Sequence, residues 1–343
     1  VDTPDAEGPS NPLHRSGDRH GRRRGVALAW TTRPGRCVDL ARELGLRAVV
    51  YSRPARWPRS LVPLFYVLAA ARTIVMLLRI RPGVVVVQHP PVFPAAIVRI
   101  YSVCSGAPFI VDAHPSAFGG DRSALHKFLL PLTRLIVRGA SATFVTVDDL
   151  ARQVDSWGGK GIVLHEPPPA GLPVPAPESV QPLRVLVACT FAPDEPIAEV
   201  FHAATNLAGV QLFVTGDSSM ADDGMVQHVP DSIRLTGLLP YDEYMQLVAD
   251  CHVVLSLTTD RNAILRSAYE AVYQQRILVT SGWPALRTTF PLAVHTANNA
   301  DSIGASLELV QRNYQEFAAE CVEARRLAVI RYEGQIAEIR ALV

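Results

Sequence analysis

Lysine is nearly missing from this chain: Lys127 and Lys160 are the two among 343 residues. Positive charge therefore rests on arginine, which suits planar, bidentate binding of phosphate, although a compositional habit of the source gives the same bias. Charged residues of all kinds reach 19%, with a formal net charge of +1. No long-range field points to nucleic acid, and none is expected as a partner. The five cysteines, Cys37, Cys104, Cys189, Cys251 and Cys321, share no CxxC or metal-ligand spacing. Buried thiols in a reducing compartment are the simple reading. No spaced D-x-D occurs in a convincing loop. Asp148-Asp149 and Asp222-Asp223 are adjacent pairs, so no metal site is expected. P-loop, GxGxxG, HExxH and GxSxG signatures are missing where they would function. Val1–Ser10 has no apolar h-region, so a secretory leader is not expected and the chain reads as cytoplasmic. Nor is there an uninterrupted apolar run of about 20 residues. Leu61–Ile80 comes nearest, but Arg72 and Arg79 interrupt it and Pro63 sits in its first turn. It reads as an amphipathic or buried helix rather than a span.

What remains is globular. Hydrophobic residues make up 48% of a length that suits two domains. Residues 1–24 read as a disordered basic tail ending in Arg22-Arg23-Arg24. From Gly25, short apolar runs alternate with helical patterns. Val26–Trp30, Ala48–Tyr51, Val84–Val87, Phe109–Val111, Thr143–Val147 and Ile162–Leu164 read as strands. The β-branched run Val84–Val87 suits a central parallel strand covered on both faces. Seven prolines between Pro167 and Pro182 exclude helix or central strand there. A second series follows, with strands at Arg184–Ala188, Val210–Thr215, Ser232–Thr236, Val253–Leu257, Ile277–Thr280 and Ala293–His295.

The expected fold class is α/β, with two Rossmann-like doubly wound parallel-sheet domains facing a cleft. The expected division is a first domain over 25–166, a semi-rigid linker over 167–182, a second domain over 183–317, and a helix over 318–343 that packs back on the first domain.

Ligands in such folds bind beyond the carboxyl ends of the strands. The segment Thr258–Phe290 carries most information there. A buried strand gives way to a polar loop, then to a helix expected to begin near Ala263. Its free backbone N–H groups and dipole suit a diphosphate. Arg266 and Glu270 lie four apart on one face of that helix. A carboxylate there can accept two ribose hydroxyls, although the spacing serves an ordinary helix ion pair equally well. Asp112 and His114 follow the strand Phe109–Val111 and are the candidates to bind an acceptor hydroxyl or take its proton. His89, after Val84–Val87, and Gly35, after Val26–Trp30, are candidates for the acceptor pocket. Trp283 is read as a packing residue.

The run Asn262, Arg266, Ser267, Ala268, Tyr269, Glu270, Ala271, then Leu278-Val279-Thr280-Ser281, resembles the donor segment of GT-B glycosyltransferases. It is most similar to the family-4 group of bacterial polysaccharide and glycolipid enzymes. That group shows two glutamates separated by seven residues. Glu270 matches the second, and Asn262 stands at the first, where the family contacts the donor sugar. Many members also carry a cation in the loop after the first donor-domain strand. Thr190–Pro196 carries Asp194 and Glu195 instead, which leaves diphosphate charge to Arg261, Arg266 and the helix N-terminus.

The resemblance implies a metal-independent transferase with no cofactor, the alternatives being a non-catalytic relative that serves as a binding or assembly partner, which Asn262 and the loop without a cation favour, and a nucleotide-sugar epimerase on the same fold. A nucleotide diphosphate sugar would be the donor, and a saccharide or lipid-linked molecule the acceptor. It implies donor contacts from Thr190, Gly216, Thr258, Arg261, Asn262, Ala263, Arg266, Ser267 and Glu270. Leu61–Ile80 and the basic tail would bring the chain to the inner face of an anionic membrane.

Overall fold

A computed structural model describes residues 25–32, 34–54, 56–119, 124–169, 171–221 and 229–342. The basic tail 1–24 and the pair Asp222-Asp223 lie outside the described residues.

The first sheet contains β1 (Val26–Trp30), β2 (Arg47–Tyr51), β3 (Val85–His89), β4 (Phe109–Ala113), β5 (Ala142–Val145) and β6 (Gly161–Val163). Their order is β2-β1-β3-β4-β5-β6, and every pairing is parallel. The crossovers are α1 (Gly35–Glu43), α2 (Val62–Ile80), α3 (Val92–Ser105), α4 (Ala124–Gly139) and α5 (Asp148–Ser156). Parallel strands need such connections, which bury both faces of the sheet. All of β1, β4 and β5 is accordingly buried.

The second sheet runs β12-β11-β10-β7-β8-β9, again parallel throughout. Its strands are β7 (Leu183–Val187), β8 (Val210–Thr215), β9 (Ile233–Gly237), β10 (Val253–Ser256), β11 (Ile277–Ser281) and β12 (Val294–Thr296). The helices are α6 (Ile197–Ala204), α7 (Tyr241–Asp250), α8 (Arg266–Tyr273), α9 (Pro284–Thr289), α10 (Ala300–Arg312) and α11 (Tyr314–Arg340).

Both halves thus follow the βα rhythm of the sequence, with three differences. Helix α8 begins at Arg266, not near Ala263. The Asp260 carboxylate accepts from Asn262 N at 2.9 Å and its carbonyl from Ala263 N at 3.2 Å. This Asx-type turn delays the helix. Helix α9, after β11, has no apolar periodicity and was not foreseen. Finally, α2 is neither amphipathic nor buried: 22% of its apolar window is covered.

Among its described residues the proline-rich stretch forms no regular element, but it is pinned. Arg276, 2% exposed, donates to Val174 O at 2.8 Å and Pro175 O at 3.3 Å. The same guanidinium donates to Val248 O and Ala249 O at the end of α7, and to Gln274 O and Gln275 O beyond α8. One cation thereby caps two helix C-termini and ties the linker to them.

Helix α11 crosses between the halves. Cys321 and Ala328 join the apolar clusters of the second sheet. Tyr332, Ile336 and Ile339 join Cys37, Leu40 and Ala41 on one face of the first. Arg340 closes its end on Glu43 at 3.0 Å.

Candidate functional site

The loop from β10 to α8 projects toward the first sheet. Ile264 packs against apolar clusters of both halves. Arg266, first residue of α8, is the hub. Its Nε donates to Glu270 Oε1 at 3.0 Å. Its Nη2 donates to Asp39 Oδ2 on α1 at 3.3 Å, and its Nη1 lies 3.9 Å from Glu166 Oε2. The guanidinium also sits 5.5 Å from the centre of the Tyr241 ring, within cation–π range. The helix ion pair weighed from spacing is therefore present, and it faces the opposite domain. Glu270 is 5% exposed. Burial raises its pKa, while Arg266 and the hydroxyls of Tyr244 and Tyr241 favour its charged form.

Across the crevice, Gly35 begins α1. A Cβ there would lie 2.8 Å from Arg266 Nη1, so glycine gives the guanidinium its room. The next residue, Arg36, is buried and donates from Nε to Asp112 at 2.9 and 3.1 Å. Its Nη1 donates to Glu166 at 2.6 Å and its Nη2 to Leu164 O at 3.1 Å. Asp112, 2% exposed, is thus locked to a guanidinium. The expectation set it beyond a strand ending at Val111, but Asp112 is part of β4 and its carboxylate is taken up by Arg36.

His114 directly follows β4. Burial is the main cause of its lowered pKa, with Asp112 opposing and Arg36 assisting, so its imidazole is neutral near pH 7. Its Nε2 lies 3.1 Å from Gln88 Nε2. His89 turns the other way, with its ring against Thr133 Oγ1 of α4 at 3.0 Å and 3% exposed. Side chains alternate along a strand, so Gln88, not His89, approaches His114.

The remaining donor candidates divide. Thr258 is a structural knot. Its N donates to Ser281 Oγ at 2.9 Å, its Oγ1 to Asp194 at 3.1 Å, and its carbonyl accepts from Trp283 and Asn298 at 2.8 Å. Ser267 bonds Ser256 at 2.8 Å. Gly216 has φ 102°, and a Cβ there would meet Cys189 O at 2.5 Å, so it allows two strand-end loops to touch. Thr190 N and Ala192 N both donate to Glu195 Oε2, at 2.7 and 2.9 Å. Between them Phe191 takes φ 57°. The two acids of this loop thus serve the loop itself: Glu195 fills its backbone nest and Asp194 ties it to Thr258. Arg261 is exposed, and Asn262 and Ala263 are half-exposed on the crevice loop.

No motif marks Asp39, Arg36 or Glu166 in the sequence, and nothing there sets Gln88, Tyr241 or Tyr244 apart from the segments that contain them. A second, open part of the crevice, about 510 Å³, lies between the ends of β5 and β6 and helix α9, with His165, Asp149, Arg152 and Arg331 on its walls.

Two doubly wound parallel sheets, their connections meeting across such a crevice, define the GT-B fold. The structure is similar to that of Alr3699/HepE from Anabaena, solved in complex with UDP and glucose. The TM-score is 0.69 at 14% identity, over 93% of this chain and 100% of that one. It is similar to sucrose-phosphate synthase from Thermosynechococcus elongatus, with TM-score 0.74 and 13% identity over 93% and 98% of the two chains. A putative UDP-N-acetylglucosamine 2-epimerase from Listeria monocytogenes aligns with TM-score 0.60 at 10% identity, over 93% and 97%. No family model and no curated protein sequence matches the chain.

Proposed function

We propose that the chain is a glycosyltransferase that moves a sugar from a nucleotide diphosphate sugar to a saccharide or lipid-linked acceptor, as family-4 enzymes do. The observation that carries this reading is the Arg266–Glu270 pair of α8, facing Gly35 and Asp39 across a GT-B crevice. In this reading Glu270 accepts the ribose hydroxyls, and Arg266 with the α8 N-terminus meets the diphosphate without a metal ion. Arg261 and Asn262 reach toward the donor from the preceding loop. The first domain holds the acceptor, and His114 takes its proton if the reaction inverts configuration.

A thermal-shift series with UDP, GDP, ADP and TDP tests it. A bound nucleotide at 100 times its Kd stabilises by about 2.7 kcal/mol. No shift with any of the four would remove the proposal.

In the present arrangement Asp39 competes with a phosphate for Arg266. Asp39→Asn is therefore expected to tighten nucleoside diphosphate binding roughly three- to tenfold, an exposed-to-part-buried pair contributing about 1 kcal/mol. Calorimetry showing weaker binding would place Asp39 among the ligand contacts instead.

Binding should also depend on pH through Glu270. Its folded value lies above the usual one, chiefly from burial. The free protein therefore holds the proton more tightly than an ordinary glutamate. Affinity needs the carboxylate, so it falls as pH falls through this raised value, sooner than for an exposed glutamate. On stability the sign is opposite: this group's favourable share is present below the unfolded value and lost as pH rises through the folded one. A Glu270→Gln variant should flatten the acid limb of the affinity profile.

Asp39, Glu166 and His114 beside the crevice support a second reading, a nucleotide-sugar 2-epimerase, since epimerisation needs several acid–base groups around one sugar. Solvent deuterium appearing at sugar C2 would decide for it.

A further inference from the structure

From residue 44 to 111 the chain has no Asp or Glu and eight arginines: Arg47, Arg53, Arg56, Arg59, Arg72, Arg79, Arg81 and Arg99. The whole chain carries only +1, so its acids are segregated elsewhere. This stretch includes α2 and α3, which with α4 form one layer on the first sheet. The inward side of α2 is made by Ala69, Thr73, Met76 and Leu77, and Trp30 Nε1 donates to Thr73 Oγ1 at 3.0 Å. Its outward side is equally apolar. Val67 is 64% exposed and Leu78 61%, with Leu64, Ile74 and Val75 beside them. Val103 of α3 and Phe128 of α4 extend the surface. A helix apolar all round has its second face covered by something.

The charge pattern says what covers it. At the β2 edge, Arg47, Arg72 and Arg79 line a groove of about 480 Å³ together with Tyr51, Val75 and Met76. None of the three pairs with a carboxylate among the described residues. A protein partner would have to bring acids for these cations. Aliphatic and phenylalanine side chains, Phe93 and Phe128 among them, flanked by unpaired arginines match a lipid interface, where apolar side chains enter the acyl boundary and guanidinium groups meet phosphates. Ala69, Thr73, Met76 and Leu77 hold the middle of α2 on the first sheet, a placement that suits a helix lying on a bilayer rather than crossing it.

We propose that the outer face of α2, α3 and α4 docks on an anionic phospholipid bilayer, the arginine groove at the β2 edge receiving lipid phosphates. This stands independently of the transfer reading, because nucleotide binding lies in the crevice and is measured separately.

The test is sedimentation of the full chain with phosphatidylcholine vesicles, with and without phosphatidylglycerol, at low and high salt. Binding to the phosphatidylglycerol vesicles that weakens with salt is the expected result. Replacing the three groove arginines together (Arg47→Gln, Arg72→Gln, Arg79→Gln) should weaken it about a hundredfold, at roughly fivefold per cation. The double variant Val67→Glu, Leu78→Glu should weaken it at least tenfold. Both sets are at the surface, and circular dichroism with a thermal midpoint checks their folding. Failure of the wild type to sediment overturns the proposal, as does equal binding to neutral vesicles. Full binding by both variants places membrane contact elsewhere and also overturns it. So does a wild-type dimer that Val67→Glu, Leu78→Glu dissociates without loss of vesicle binding, which would make a second copy the occupant.

Discussion

Arg276→Met is expected to destabilise the protein by about 3–5 kcal/mol, the usual range for removing one member of a buried, charge-assisted network. Methionine fills a similar volume, so a packing defect is a minor part. The loss is of donors. Six carbonyls, from the ends of α7 and α8 and from Val174 and Pro175, rely on one guanidinium. Burial lowers the pKa of this arginine, as it must where no carboxylate pairs with it among the described residues. The negative ends of two helices take the place of a counter-ion. Val174 and Pro175 are the exposed residues among the six and can turn to water, so the linker should detach first. Denaturant titration reads the stability, and limited proteolysis near Val174 reads the linker. A wild-type midpoint with wild-type resistance would mean that water replaces the arginine without cost.

Glu270→Ala should remove the nucleotide-induced thermal shift altogether. Hydrogen bonds to a charged group are worth about 1.5–3 kcal/mol each. A carboxylate that accepts two ribose hydroxyls thus accounts for at least a hundredfold in affinity. The same substitution releases Arg266 from its nearest partner and leaves Tyr241 and Tyr244 facing a void. The apo protein should therefore also melt lower. Glu270→Gln keeps the volume and one acceptor, and should retain a reduced shift. If Glu270→Ala melts lower yet keeps the full shift, its carboxylate is structural and the ribose is bound elsewhere.

The fold was legible because it is written locally. Val85–Val87 or Val253–Ser256 can scarcely be other than buried strands, and glycine or proline marks most of their ends. Helix α9 escaped because six residues, Pro284–Thr289, are too few to carry a period. The start of α8 was misplaced because Asp260 competes for the backbone of Asn262 and Ala263, a rivalry that apolar spacing does not encode. At the site, Arg266, Glu270 and Gly35 were found as separate suspects. Their meeting was not legible, since Gly35 and Arg266 lie 231 positions apart. Asp112 looked free because its partner, Arg36, lies on another βα unit. His89 and Gln88 differ by one step along β3, and only the pleat decides which of them faces the crevice.

The long final helix sets how the two halves can move. At about 1.5 Å per residue its 27 residues make a rod of roughly 40 Å. One end is embedded beneath the second sheet and the other beneath the first, with Arg331 gripping Thr289 O at 2.5 Å near the crossing. A jaw-like parting would have to snap this rod or pull Tyr332 and Ile336 out of the opposite core. The cheaper motion is a twist of one half against the other about the rod, sliding α8 sideways past α1. Entry and exit of a guest would then proceed by shear, and amides near Arg331 would stay protected from exchange throughout the cycle.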